Sequence, residues 1–138
     1  MKIQLITILS TLMVLGHQAQ DFGVQFSEPS LVESHSSNVF VVKLKNQELN
    51  EHNLYITSQA DGSVYEKIEF KFSGLSHVKR KFQIEADNTP SLTLKFGQKL
   101  EAEFTGQYEF RAIRRDGSEQ VVSWYIYFYP EVLDLIKA

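Results

Sequence analysis

The chain has 138 residues and a formal net charge of −3, from 14 basic and 17 acidic side chains. That length suits a single domain, and the mildly acidic balance lacks the basic footprint of a nucleic-acid binder. There is no cysteine, which excludes disulfides, thiolate zinc sites, redox dithiols and cysteine nucleophiles, so a core must hold by burial alone.

The chain begins MKIQLITILSTLMVLGHQAQ. Lys2 precedes a mainly apolar run from Ile3 to Leu15. Small and polar residues follow, with Ala19 close to the end. This is the layout of a secretory signal peptide, and the apolar run is too short and too abruptly ended for a membrane span. The expected organisation is a signal over 1–20, cut before Asp21, and one domain over 21–138; an uncleaved amphipathic or core helix is the alternative. The expected location is secreted or exported: extracellular, periplasmic or in the secretory-pathway lumen. None of Asn38, Asn46, Asn50, Asn53 and Asn88 has the hydroxyl residue that an N-glycosylation acceptor needs.

From residue 21 the pattern is almost entirely that of strands. GVQFSEP is a short first strand that Pro29 stops or places at an edge. NVFVVKLKN sets Phe40, Val42 and Leu44 on one face and Val39, Val41, Lys43 and Lys45 on the other. NLYITS sets Leu54 and Ile56 against Tyr55 and Thr57. Asp61-Gly62 then predicts a hairpin turn, because both residues tolerate positive φ. VYEKIEFKF alternates, with Ile68, Phe70 and Phe72 inward and Lys67, Glu69 and Lys71 outward. HVKRKFQIE repeats this with Val78, Phe82 and Ile84 inward. SLTLKF and KLEAEF continue it through Leu92, Leu94 and Phe96, then Leu100, Ala102 and Phe104. QYEFRAIRR and QVVSWYIYFY are joined by a second Asp-Gly turn at Asp116-Gly117. A short helix is open to the tail, where Pro130 can start it and Val132, Leu133 and Ile136 can dock it; the tail is too short to cross a bilayer. Eight or nine strands with turn signals every eight to twelve residues predict an all-β antiparallel sandwich or barrel.

LEAEFTGQYEFRA, Leu100 to Ala112, resembles the turn into the F strand of immunoglobulin-like domains, whose pattern is Leu-x-x-x-Asp-x-Gly-x-Tyr-x-Cys. Leu100, Gly106 and Tyr108 match. Phe104 replaces the aspartate, Phe110 replaces the cysteine, and NLYITS carries no tryptophan. The resemblance implies an immunoglobulin-like β-sandwich of about eight strands in which Tyr108 forms a tyrosine corner, its hydroxyl bonding back to the backbone just upstream. Read from the residues alone, Gly106 supplies a turn, Tyr108, Phe110 and Ala112 face inward, and Phe110 fills volume that a disulfide would occupy. NVFVVKLKN, NLYI and TGQYEFRAIRRDG are also similar to the luminal domain of the translocon-associated protein delta subunit. That family carries a disulfide and a C-terminal anchor; this chain has no cysteine, and no anchor is expected of its tail; the likeness implies an accessory subunit of a membrane-associated luminal assembly.

Catalytic signals are sparse. His35, near Glu33, His52, near Glu51, and His77 are not completed into a metal set and read as solvated. There is no Gly-x-Ser-x-Gly elbow and no phosphate-cradling glycine loop. Glu101 and Glu103 share one strand face and read as a solvated edge rather than a glycosidase pair. HVKRK, with Arg111, Arg114 and Arg115, suits an anionic partner or edge protection, and protection is preferred. No enzyme, no cofactor and no metal are expected.

The aromatic strand QVVSWYIYFYP is apolar on both faces. Val122, Trp124, Ile126 and Phe128 are core, packed with Tyr108 and Phe110. Tyr125, Tyr127 and Tyr129 line the other face, where Arg111 and Ile113 of the paired strand point the same way and extend the patch. Tyrosine offers large contact area, few rotamers and a polar tip. Three occupants suit the stripe: the chain's own tail EVLDLIKA, a protein partner or second copy, and a glycan stacked on the rings.

Overall fold

The computed structural model describes residues 17–18, 21–44, 54–87, 89–97 and 99–130. Among them, ten strands form two five-stranded sheets. One sheet runs β1 (His17–Gln18), β2 (Phe22–Phe26), β5 (Tyr55–Ala60), β8 (Ser91–Lys95), β7 (Gln83–Ala86). The other runs β3 (Val32–Ser36), β4 (Val39–Leu44), β10 (Glu119–Pro130), β9 (Gly106–Arg114), β6 (Tyr65–Gly74). Neighbours are antiparallel except β4 and β10, which run parallel with Tyr125 opposite Val39 and Phe128 opposite Val42. The expected all-β sandwich is present, though not purely antiparallel. The signal expected over 1–20 and the tail from 131 lie outside the described residues, apart from the two residues of β1, which pair with Gly23 and Val24.

The period-two pattern decides which face is buried. Phe22, Val24 and Phe26 of β2, Phe40 and Val42 of β4, and Val122, Trp124, Ile126 and Phe128 of β10 all point into the space between the sheets. Trp124 is 2% exposed and stacks on Phe26 at 4.8 Å, with Phe40 edge-on at 5.0 Å. A second aromatic group gathers around Phe82, whose ring lies 5.1 Å from Phe72, 5.6 Å from Phe104 and 5.7 Å from Phe96. Each fully buried side chain of this size contributes roughly 1.5–3 kcal/mol, and the aromatic contacts supply what a covalent staple supplies elsewhere. Phe110 is fully buried, 5.1 Å from Phe70 and 6.4 Å from Trp124.

Three expectations give way. Asp61-Gly62 is not a hairpin turn: β5 already lies between β2 and β8, so both its edges are taken and the chain crosses to β6 in the other sheet. The Asp61 carboxylate instead accepts from the Ser63 amide at 2.9 Å and from its hydroxyl at 2.8 Å, a local turn that needs no positive φ. HVKRK is a 3-10 helix, Ser76–Lys81, with Val78 buried and Ile84 beyond it exposed on the edge strand β7. KLEAEF is likewise a short 3-10 helix, Ala102–Phe104, which buries Leu100 and Phe104 and leaves Ala102 in solvent. The strand β3 has no counterpart in the sequence reading, because Val32 alone of its residues is buried and no alternation shows.

The Asp116-Gly117 turn forms as expected. Gly117 takes φ +92, and Arg114 and Ser118 close the loop through the Arg114 amide and the Ser118 carbonyl at 2.8 Å. Gly106 does not turn the chain. It begins β9 opposite Gly74, and a Cβ on either would lie 2.7 Å or less from the Phe72 ring. The two glycines form a notch that this ring fills.

Candidate functional site

Tyr108 closes the base of β9. Its hydroxyl donates to the Phe104 carbonyl at 2.6 Å, and burial pushes its pKa well above 10.0. Beyond Gly106, Thr105 extends the ladder: the Phe128 amide donates to the Thr105 hydroxyl at 2.8 Å. This joint fixes the end of β10 that carries the tyrosines.

The outward face of the sheet is the candidate site. Tyr125, Tyr127 and Tyr129 are 40%, 42% and 37% exposed, and the rings of Tyr127 and Tyr129 lie 5.7 Å apart. The parallel pairing sets Val39 beside Tyr125, Val41 beside Tyr127 and Lys43 beside Tyr129. Val39 and Val41 are half-buried. They widen the stripe to two strands, a juxtaposition that no pattern within either strand signals. Val121 adds an exposed apolar side chain further along β10.

Arg111 and Ile113 do share this face, but at its other end. Arg111 is opposite Val121 and Ile113 opposite Glu119, while Gln107 is the residue beside Tyr125. The Arg111 guanidinium donates to Glu109 at 2.6 Å and to Glu119, so it is engaged by carboxylates rather than laid on a tyrosine ring. Those two bonds raise its pKa further. Gln107 donates to the Ser123 hydroxyl at 2.7 Å.

Around the stripe the outward positions of the ladder carry Lys43, Lys67, Lys71 and Arg111 against Glu33, Glu69, Glu109 and Glu119. Lys43 pairs with Glu33 and Lys67 with Glu69, each at 3.2 Å. The stripe is thus apolar at its centre, with a rim of both signs.

A further polar cluster joins two of the 3-10 helices. Glu103 accepts from His77 at 2.9 Å and from Lys81, tying the 3-10 helix at 76–81 to the one at 102–104. The Lys81 bond first, then that of His77, hold its carboxyl below the usual 4.5. Glu103 is therefore a structural clasp and not, as expected, part of a solvated strand face with Glu101. His35 is exposed at the irregular end of β3; Glu51 and His52 lie outside the described residues. Among the described residues no three histidine, aspartate or glutamate side chains converge as a metal site, and no helix is long and apolar enough to cross a membrane.

No protein-family model and no curated protein matches this sequence.

Proposed function

We propose that the protein is an exported, non-catalytic binding module of immunoglobulin-like architecture that engages a protein through the tyrosine face of its second sheet. The observation that carries this is the exposure of three tyrosines in line on β10, flanked by Val39 and Val41. A solvated sheet face alternates to polar residues; this one is aromatic and aliphatic at its centre and charged at its rim, as interfaces are. The architectural part rests on the strand order, with β2–β5–β8–β7 facing β4–β10–β9–β6, and on the Tyr108 bond to Phe104. Export rests on the N-terminal twenty residues. The resemblance to the translocon-associated delta subunit falls on β4, β5 and β9, and suggests a luminal assembly as the setting.

The test is Tyr125→Ala with Tyr127→Ala, compared with wild type by affinity capture from the native extract and by thermal melting. Loss of a captured protein at an unchanged Tm supports the reading. Unchanged capture, or a loss of stability that accounts for it, overturns it. Amino-terminal sequencing of the exported protein checks the cut before Asp21.

A further inference from the structure

We infer that the protein engaged by the tyrosine face is a second copy of this chain, packed sheet to sheet as a two-fold dimer. The inference rests on the proposed binding role of that face and names its partner. Three observations carry it. The first is position. β10 is the third of five strands, so a two-fold axis lying along it sets the tyrosine row against itself, the isologous contact that closed dimers use. About an axis along an edge strand the two rows would still meet, but the rest of the two sheets would extend in opposite directions and stay uncovered.

The second is charge. The paired outward positions of this sheet carry four basic and four acidic side chains, and the exposed bulge residue Glu66 of β6 adds one acid, so the face is close to neutral although the chain as a whole is at −3. A face selecting a charged partner shows one sign. A nearly neutral face with mixed pairs exerts little net repulsion on its own copy. The committed pairs, Glu33 with Lys43 and Arg111 with Glu109, leave no unpaired charge at the centre to be desolvated.

The third is area. With strands about 4.8 Å apart and about 3.3 Å of rise per residue, the outward face spans roughly 700 Å². That approaches the roughly 800 Å² per partner of a standard interface. The tyrosine and valine strip is its apolar core, and the ion pairs form its rim. Aligned sheets pack face to face at about 10 Å with their side chains interleaved, and tyrosines at every second position of one strand provide the ridges for this.

Sedimentation velocity of the purified protein over a wide concentration range tests the inference, with Tyr127→Glu and, as a conservative check on folding, Tyr125→Thr with Tyr127→Thr. The expected result is a reversible dimer in the wild type, weakened about tenfold or more in both variants at unchanged Tm, since each substitution acts twice across the two-fold. A wild type that stays monomeric overturns it, as does a dimer indifferent to both variants. A monomer that dimerises only after residues 131–138 are removed also overturns it and assigns the face to the chain's own tail. A monomer whose binding to a glycan or to a different protein is lost in Tyr127→Glu overturns the dimer. In the different-protein case the broader reading of the face stands.

Discussion

Replacing Tyr108 by phenylalanine removes one oxygen and almost no volume, so it isolates the hydroxyl. The ring stays among Phe70, Phe72, Phe82 and Phe96, all within 6.2 Å. What is lost is the 2.6 Å bond to the Phe104 carbonyl. Phe104 and Tyr108 are both fully buried, so water cannot replace the donor. Leaving a buried acceptor unpaired costs about 1–3 kcal/mol, against roughly 0.5–1.5 kcal/mol for an ordinary exchange with solvent. Urea denaturation should show the midpoint falling by that loss divided by the slope, with the slope itself unchanged. The same substitution alters the alkaline limb. The folded pKa of Tyr108 is raised above 10.0 by burial. Its contribution is therefore complete below the unfolded value near 10 and is lost as pH climbs through the folded value. The variant should lose less stability than wild type above pH 10.0. Tyr65, raised by burial and then by its bond to Asp21, retains part of the effect. A loss under about 0.5 kcal/mol with an unaltered alkaline limb would refute the corner and the burial argument together.

Gly106→Ala should destabilise by about 1–3 kcal/mol, because the new methyl meets the Phe72 ring and the Ser73 carbonyl at 2.7 Å, and the second of these is backbone; a neutral result by chemical denaturation would mean the notch is not filled. Gly117→Ala meets nothing within 4 Å but must hold φ +92, so its cost, about 1 kcal/mol, comes from conformation alone, and it should leave the Tm shift of Gly106→Ala additive. Glu103→Gln should flatten the acid limb: the depressed Glu103 pKa gives stability that is present above the unfolded value near 4.5 and lost as pH falls through the folded one. Hydrogen exchange of residues 76–82 against pH reads this directly, and identical profiles in variant and wild type would contradict the clasp.

Strands with a long apolar period were legible, and what failed was partner choice and broken alternation. β2, β4, β5, β6, β9 and β10 follow from residue parity, since burial at every second position has no other common cause. The Asp61-Gly62 pair is compatible with a hairpin or with a local turn between sheets. The choice is made elsewhere, by β2 and β8 occupying both edges of β5. In HVKRKFQIE the departure was already written in the chain. Arg80 stands on the parity that Val78 and Phe82 share, leaving apolar residues four apart instead of two, and the structure makes this a 3-10 turn. Leu100 and Phe104 show the same four-residue spacing around a weak Ala102. The tyrosines of the candidate site were visible as an excess on the outward parity of β10. The displacement of Arg111 follows from register rather than parity: the Asp116-Gly117 turn sets the β9–β10 pairing and puts Arg111 opposite Val121, away from Tyr125.

The stripe itself depends on a pairing that no local pattern specifies. β4 and β10 are 80 residues apart between Val39 and Glu119, and they meet in parallel, which no short turn can produce. Each strand carries apolar side chains on both parities: Phe40 and Val42 with Val39 and Val41, Trp124 and Ile126 with Tyr125 and Tyr127. Only one parity of each is needed for the core. A strand apolar on both sides is ordinarily covered on both sides, and here the two such strands of the second sheet lie side by side at its middle. Chance placement would scatter the surplus over the outer surface. Instead, four of the six large apolar side chains exposed among the described residues, Val121, Tyr125, Tyr127 and Tyr129, lie on β10, and the β4–β10 ladder sets Val39 and Val41 beside two of them; Leu75 and Ile84 lie off the strip. That coincidence of doubly apolar strands with the centre of the sheet is the physical support for the proposed recognition face.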